Sequence, residues 1–296
     1  MKTLLICCMA AAIAAPASWA QSPDANQKYT ATRKHILFLG GNQYYAHDAV
    51  SKAMYTMAKL GEESGLFDVM FRTDFKLVTK AEIPQYINAK NLNYFDAVMF
   101  FTQGDFPLTA NRRADLLSFV REDGKGMLVA HSGTDHNRWE FSGDGNMAIK
   151  NQGGWPEFTE MVGGVFVNHP WLQPVRINVE DRGFPATEHF PPVVEIEEEI
   201  YQIVQFSRER VRVLMTLDVD SVDLENPPLG PVVRKDLDFA LAWAHTAGKG
   251  RVFVSPLGHI LGTWDRSDIQ KMWLEAARWV LGLTDGDATP RPRPAR

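Results

Sequence analysis

Cysteine is nearly absent. Cys7 and Cys8 are the two cysteines in 296 residues, and both lie inside the apolar run from Leu4 to Ala15. That run follows Lys2 and leads through Pro16 to Ser18-Trp19-Ala20. A positive start, an apolar centre and small residues before the cut describe a cleavable secretory signal peptide, residues 1–20, cleaved after Ala20. The mature chain, periplasmic or secreted, then has no cysteine, which excludes disulfides, thiolate metal sites and a cysteine nucleophile. The run is too short to anchor a protein in a bilayer, so no membrane insertion is expected. Positive charge is not in surplus either. A net charge of −5 gives no electrostatic reason for a nucleic-acid partner.

Several local signatures are missing. There is no His-Glu-x-x-His metal motif, and neither a dinucleotide fingerprint nor a P-loop follows Gly40-Gly41, so no nucleotide cofactor is expected. Ala130-His-Ser-Gly-Thr134 does not form the Gly-x-Ser-x-Gly elbow that would make Ser132 a nucleophile. Gly143-Asp-Gly-Asn146 lacks the later oxygen ligands of a calcium loop and reads as a turn.

What is present is an α/β pattern. Short apolar runs at 35–39, 67–72, 95–101 and 126–130 read as buried strands. Between them, Val50, Met54, Met57 and Leu60 recur at helical spacing, and Thr109 can cap a helix containing Leu116, Leu117 and Val120. This alternation predicts a mostly parallel central sheet covered on both faces. Further strands are expected at 175–179, 200–206, 211–217, 237–244 and 251–255, and a short helix at 156–162. Ser267 is expected to cap a last helix ending at Gly282. No linker or repeat divides residues 34–283, so a single domain is expected there. The Pro/Arg-rich tail, 284–296, reads as disordered.

Five of the eight histidines, His47, His131, His169, His189 and His259, fall on turns after strands or helices. One histidine on a turn is unremarkable. Several at the carboxyl rim of a parallel sheet, where such folds bind ligands, suit metal binding or general acid–base chemistry. Gly40–Asp48, Gln103–Asp105 and His131–His136 share that rim. Trp139, Trp155, Trp171 and Trp264 lie on expected loops, where an indole face could stack on a sugar. The acidic run Glu195–Glu199 reads as a solvated edge, with Glu199 and Tyr201 as exceptions.

The order of the motifs resembles the trehalose-utilisation (ThuA-like) family. The matching pieces are His47-Asp48, Asp96-Ala-Val98, Gly126-Met-Leu-Val-Ala-His131-Ser132, Gly163-Gly164-x-Phe166 with His169-Pro170, His189, Glu199-Ile-Tyr201, Gly248-Lys-Gly-Arg251-Val-Phe253, Leu257-Gly-His259 and Trp279. Phe190 interrupts a common His-Pro after His189. The resemblance implies a flavodoxin-like, class I glutamine amidotransferase-like three-layer sandwich. True amidotransferases carry a cysteine where this chain has His131-Ser132, so glutamine hydrolysis through a thioester is excluded by inventory. The resemblance further implies carbohydrate catabolism, with a small carbohydrate as partner and a glycoside or 3-keto sugar as substrate. On that reading His131, His47, Glu199 and Arg251 are the catalytic candidates. Trp139, Gln103, Asp135, Tyr201 and Trp264 would bind substrate, and His131, His169 and His259 would hold a divalent transition metal. The alternative is a non-catalytic sugar-binding or accessory protein on the same fold, in which the tryptophans dominate and the histidines are dispensable.

Overall fold

The computed structural model describes residues 33–83, 90–136 and 155–293, together with the backbone of two short strands, Trp139–Phe141 and Met147–Ile149. The expected signal peptide and the turn at 143–146 lie outside the described residues. From Lys34 onward the chain forms one compact unit.

The four sequence-predicted strands at the front of the chain form as β1 (Lys34–Leu39), β2 (Phe67–Arg72), β3 (Ala97–Phe100) and β4 (Gly126–Ala130). Two short paired strands, β5 (Trp139–Phe141) and β6 (Met147–Ile149), follow. The second half supplies β7 (Val165–Val179), β8 (Val193–Val204), β9 (Arg212–Leu217), β10 (Ala240–Ala247) and β11 (Gly250–Ser255). The main sheet has nine strands in the order β2-β1-β3-β4-β11-β10-β9-β7-β8. The first five are parallel, in the doubly wound order of a flavodoxin-like sheet, and the remaining four are added antiparallel. The sheet is therefore mixed, with its parallel half carrying the flavodoxin-like topology.

Helices α1 (Ala49–Ser64) and α4 (Ser267–Val280) pack into the core on one face. On the other face lie α2 (Ala110–Arg121) and α3 (Pro156–Val162). Two cores on opposite faces of one sheet make the three layers. Strands β1, β3 and β4 are wholly or almost wholly buried because both faces are covered, which is why they read as continuous apolar runs rather than alternating ones. Thr109 caps α2 by accepting from Arg112 N, as expected. Ser267 does not cap α4. It is the helix's first residue, and Asp268 accepts from Ile269 N instead. No helix among the described residues is long and apolar enough to cross a membrane.

Strands β7 and β8 are much longer than the apolar runs that announced them. In β8 the acidic run alternates, with Glu195 and Glu197 exposed and Val194 and Ile196 buried, so this edge strand has one wet face. In β7, irregularities between Phe166 and Asn168 and between Asn168 and Trp171 accommodate Pro170 within the pairing. The tail is a second correction. Up to Arg293 it is laid on the domain: Asp287 pairs with Arg212, Arg291 donates to Glu180 O, and Arg293 donates to the carbonyls of Asp236 and Leu237. Prolines between these arginines keep the chain extended, so successive guanidinium groups reach carbonyls and carboxylates along a path with no apolar signal.

Candidate histidine–carboxylate site

The site is assembled from the ends of strands that are distant in sequence. His47 follows β1, His131 follows β4 and His259 follows β11, all at the carboxyl ends of strands in the parallel half of the sheet. Their ring centroids are 5.0, 5.3 and 5.5 Å apart, every pair roughly edge to face. Their ligand atoms all lie within 4.8 Å of one another, close enough to share a metal ion. The expected trio is His131, His169 and His259; the grouping at metal-binding distance among the described residues is His47, His131 and His259, and His169, on β7, meets the other oxygen of Glu199.

His131 sits in a strained turn. Its φ of 42° is left-handed, and a single 3-10 turn, His131–Thr134, follows at once. Gly133 permits that turn, since a Cβ there would lie 2.7 Å from Phe100 O. The imidazole Nδ1 is 2.8 Å from Pro256 O. A carbonyl can only accept, so Nδ1 carries the proton and, in the neutral ring, the Nε2 lone pair faces the cluster. Tyr201 donates its hydroxyl to that nitrogen at 2.9 Å. Metal-ligating histidines commonly have their second nitrogen fixed in this way.

Glu199 links the groups. Oε2 lies 3.2 Å from His259 Nδ1 and 3.4 Å from His131 Nε2, and Oε1 lies 3.3 Å from His169 Nδ1. Burial alone would raise its pKa, but the imidazoles of His131, His259 and His169 gathered around it hold the carboxyl well below the usual range. The carboxylate in turn raises His259, against the effect of burial. His47 goes the other way. Burial, then repulsion from His131 and His259, push it down to about 3, so it is neutral at physiological pH. Its buried Nδ1 has no hydrogen-bond partner, which costs free energy unless something binds there.

The three shortest donor separations, 3.2, 3.3 and 3.4 Å, can be compared with a tetrahedral site. Nitrogen ligands at about 2.0–2.1 Å from zinc stand ~3.3–3.4 Å apart. His131, His259 and Glu199 thus stand at the spacing of ligands on a small divalent transition metal, and a ligand atom of His47 lies within 4.8 Å of those of the other two histidines.

Glu198 escaped the sequence reading. It is fully buried, and its carboxylate accepts from the backbone N–H groups of Gly258, His259 and Ile260 and from Thr263 Oγ1, at 2.7–3.1 Å. It also accepts from Glu199 N. One side chain thus fixes both the loop that carries His259 and the backbone of Glu199. In sequence it is the middle of three glutamates. The break in alternation at Glu198-Glu199, both buried, becomes visible only once β8 is placed.

Other expected site residues lie elsewhere or act indirectly. Arg251 stands at the amino end of β11, donating to Trp279 O and Thr284 O, at the opposite end of the strand from Ser255 and His259. The Gly-Lys-Gly turn joins antiparallel strands, which places it away from the rim, so Arg251 is not an orienting group there. Trp264 is fully buried against Phe101 and Trp273 and offers no face to a ligand. Trp171 and Trp155 are buried as well. The side chain of Trp139 lies outside the described residues. Gln103 spends its amide on structure: Oε1 accepts from Tyr44 N and Tyr45 N, and Nε2 donates to Asp135. Gln103 and Asp135 therefore act by clamping the loop after β1. His189 is bonded to Asp268 O at the start of α4, apart from the cluster.

His245 on β10 is a purely structural histidine. It donates from Nε2 to Met161 O, and burial pushes its pKa down from 6.5 to about 4. A histidine kept neutral by folding gives stability that is present above pH 6.5 and lost as pH falls toward 4. The loss is up to about 3 kcal/mol. In urea unfolding at several pH values, His245→Gln is expected to flatten the slope across that window; an unchanged slope would refute the assignment.

Residues 35–280 match the family model described as ThuA, trehalose utilisation. A ThuA-like protein from Bacteroides uniformis superimposes with a TM-score of 0.61 at 21% identity, covering 90% of this chain and 95% of that one. Another from Parabacteroides merdae gives 0.56 at 16% identity, covering 85% and 90%. No curated protein sequence matches the chain. With the family model spanning most of its length, and with the fold shared with ThuA-like structures, this chain belongs to the ThuA trehalose-utilisation family.

Proposed function

We propose that this protein is an exported carbohydrate-catabolism enzyme acting on a glycoside or 3-keto sugar. In this reading His47, His131 and His259 hold a divalent transition metal. The observation that carries the reading is the convergence of three imidazoles and one carboxylate at the ligand-binding rim, with the His131 tautomer set by Pro256 O. Export, to the periplasm or outside the cell, is part of the proposal and rests on the leader read at residues 1–20.

The chemistry follows from the groups present. A 3-keto group acidifies the C2–H bond of the sugar, and a base can take that proton while the electron pair moves toward the carbonyl oxygen. A divalent metal supplies stabilisation of the negative charge that develops on that oxygen. His169, 40% exposed in its side chain and paired with Glu199, is the histidine open to a substrate and is assigned as the base. The electron pair then returns to expel the glycosidic oxygen from C1, which takes up a proton as the aglycone leaves. Of the four tryptophans that the sugar-binder alternative would use, Trp155, Trp171 and Trp264 are buried.

Metal analysis of the mature protein, purified without chelator or metal-affinity steps, tests this. About one equivalent of a transition metal, with turnover of a 3-keto disaccharide that falls on chelation, is the expected result. A metal-free protein with undiminished turnover would move the chemistry to histidine acid–base catalysis alone. Absence of both would overturn the reading.

A further inference from the structure

With every tryptophan whose side chain is described buried, the described surface against which a sugar ring would rest has to come from another side chain. Among the described residues three aromatic rings are strongly exposed: Tyr45, Tyr55 and Phe71. Tyr55 lies within α1, and Phe71 lies near the carboxyl end of the edge strand β2, two strands or more from β4 and β11. Tyr45 is 57% exposed, yet its ring is 4.7 Å from that of His47 and 6.0 Å from that of His259. The ring thus touches the histidine cluster while more than half of the residue's surface is open to solvent.

The loop that carries it is tied down on several sides. Gln43 N donates to Gln103 O and Gln103 N donates to Gly41 O. The side chain of Gln43 bonds both the N–H and the carbonyl of Asp105. Tyr44 N and Tyr45 N share Gln103 Oε1, and the Nε2 of the same amide donates to Asp135. A flexible loop could fold a tyrosine onto the protein and bury it; this loop keeps the ring out. An exposed aromatic held in place loses little conformational entropy when a ligand covers it, which favours binding.

We infer that Tyr45 is the stacking platform of the substrate site, receiving the apolar C–H face of a pyranose ring and so bringing its carbonyl or glycosidic end to the histidine–carboxylate cluster. Stacking needs a flat apolar ring with one free face beside the reacting groups, and Tyr45 is the described residue that supplies it. This inference rests on the sugar-processing reading above and deepens it by naming a binding residue.

The test compares mature wild type, Tyr45→Ala, Tyr45→Phe and His131→Asn. Each is titrated calorimetrically with a panel of glucosyl disaccharides and their 3-keto forms, with metal content and melting temperature measured on the same samples. Tyr45→Ala is expected to weaken binding about tenfold or more, and Tyr45→Phe to recover most of it because the ring face is retained. Metal content and melting temperature should not follow the loss. Unaltered affinity in Tyr45→Ala, with His131→Asn impaired, overturns the stacking role and leaves the proposed function standing. Weakening that tracks lost metal or a lowered melting temperature also overturns it, assigning Tyr45 to structure. Metal-loaded wild type that binds no sugar of the panel overturns both readings.

Discussion

His131→Asn is expected to lose the metal and reduce turnover of a 3-keto disaccharide by about a thousandfold or more, while remaining folded. A thousandfold loss in kcat/KM corresponds to about 4 kcal/mol of transition-state stabilisation. The choice of asparagine follows from the backbone. At φ 42° most side chains are strained, and asparagine is among the few that tolerate the left-handed region. A folding defect is thereby kept apart from a chemical one. Asparagine is also shorter than histidine and cannot place a nitrogen where Nε2 meets Glu199, His259 and the Tyr201 hydroxyl. Circular dichroism should show a folded protein, and metal analysis should show a large drop in occupancy. Full activity with normal metal content would remove His131 from the chemistry.

The second large effect is expected at a residue that touches no substrate. Glu198→Ala removes the acceptor for three consecutive N–H groups and for the Thr263 hydroxyl, all in buried or half-buried positions. Buried donors left unsatisfied cost ~1–3 kcal/mol each, with partial relief as the loop relaxes, so a loss of about 3–5 kcal/mol of stability is expected. Glu198→Gln keeps the shape and one acceptor oxygen but points an amide donor at N–H groups, and should fall between. Glu198 is a positioning residue: the loop it gathers carries His259, so the glutamine variant should lose metal affinity even below its melting temperature. Metal titration of folded Glu198→Gln against wild type checks this. Normal metal affinity alongside a lowered melting temperature would reduce Glu198 to a structural role.

Parts of this molecule were legible as text and others were not, and the division has a physical basis. The buried strands β1 to β4 and helices α1 and α2 announced themselves because local periodicity and capping chemistry are written in adjacent residues. Strands β7 and β8 showed only part of their length, near 175–179 and 200–206, since the rest of their pairing depends on the partner strand rather than on their own composition, and irregularities in register let Pro170 take part. The docked tail, Pro- and Arg-rich, carries no apolar signal at all; its contacts are long-range ion pairs and hydrogen bonds to carbonyls.

The site divides along the same line. The sequence by itself determined the inventory: histidines at the ends of strands, no mature cysteine if the leader is removed, and a motif order that marks the family. Strand polarity even placed His47 and His131 at one rim before any coordinates, with His259 expected on a turn. Only the tertiary structure decided which of them meet. Strand order 2-1-3-4-11 sets β1, β4 and β11 close together and so selects His47 over His169, while the antiparallel turn before β11 sends Arg251 to the far end. Burial decided that Trp264 packs in the core and that Tyr45 faces solvent. Those outcomes depend on distances between residues that are far apart in the chain, and spacing along a sequence does not encode them.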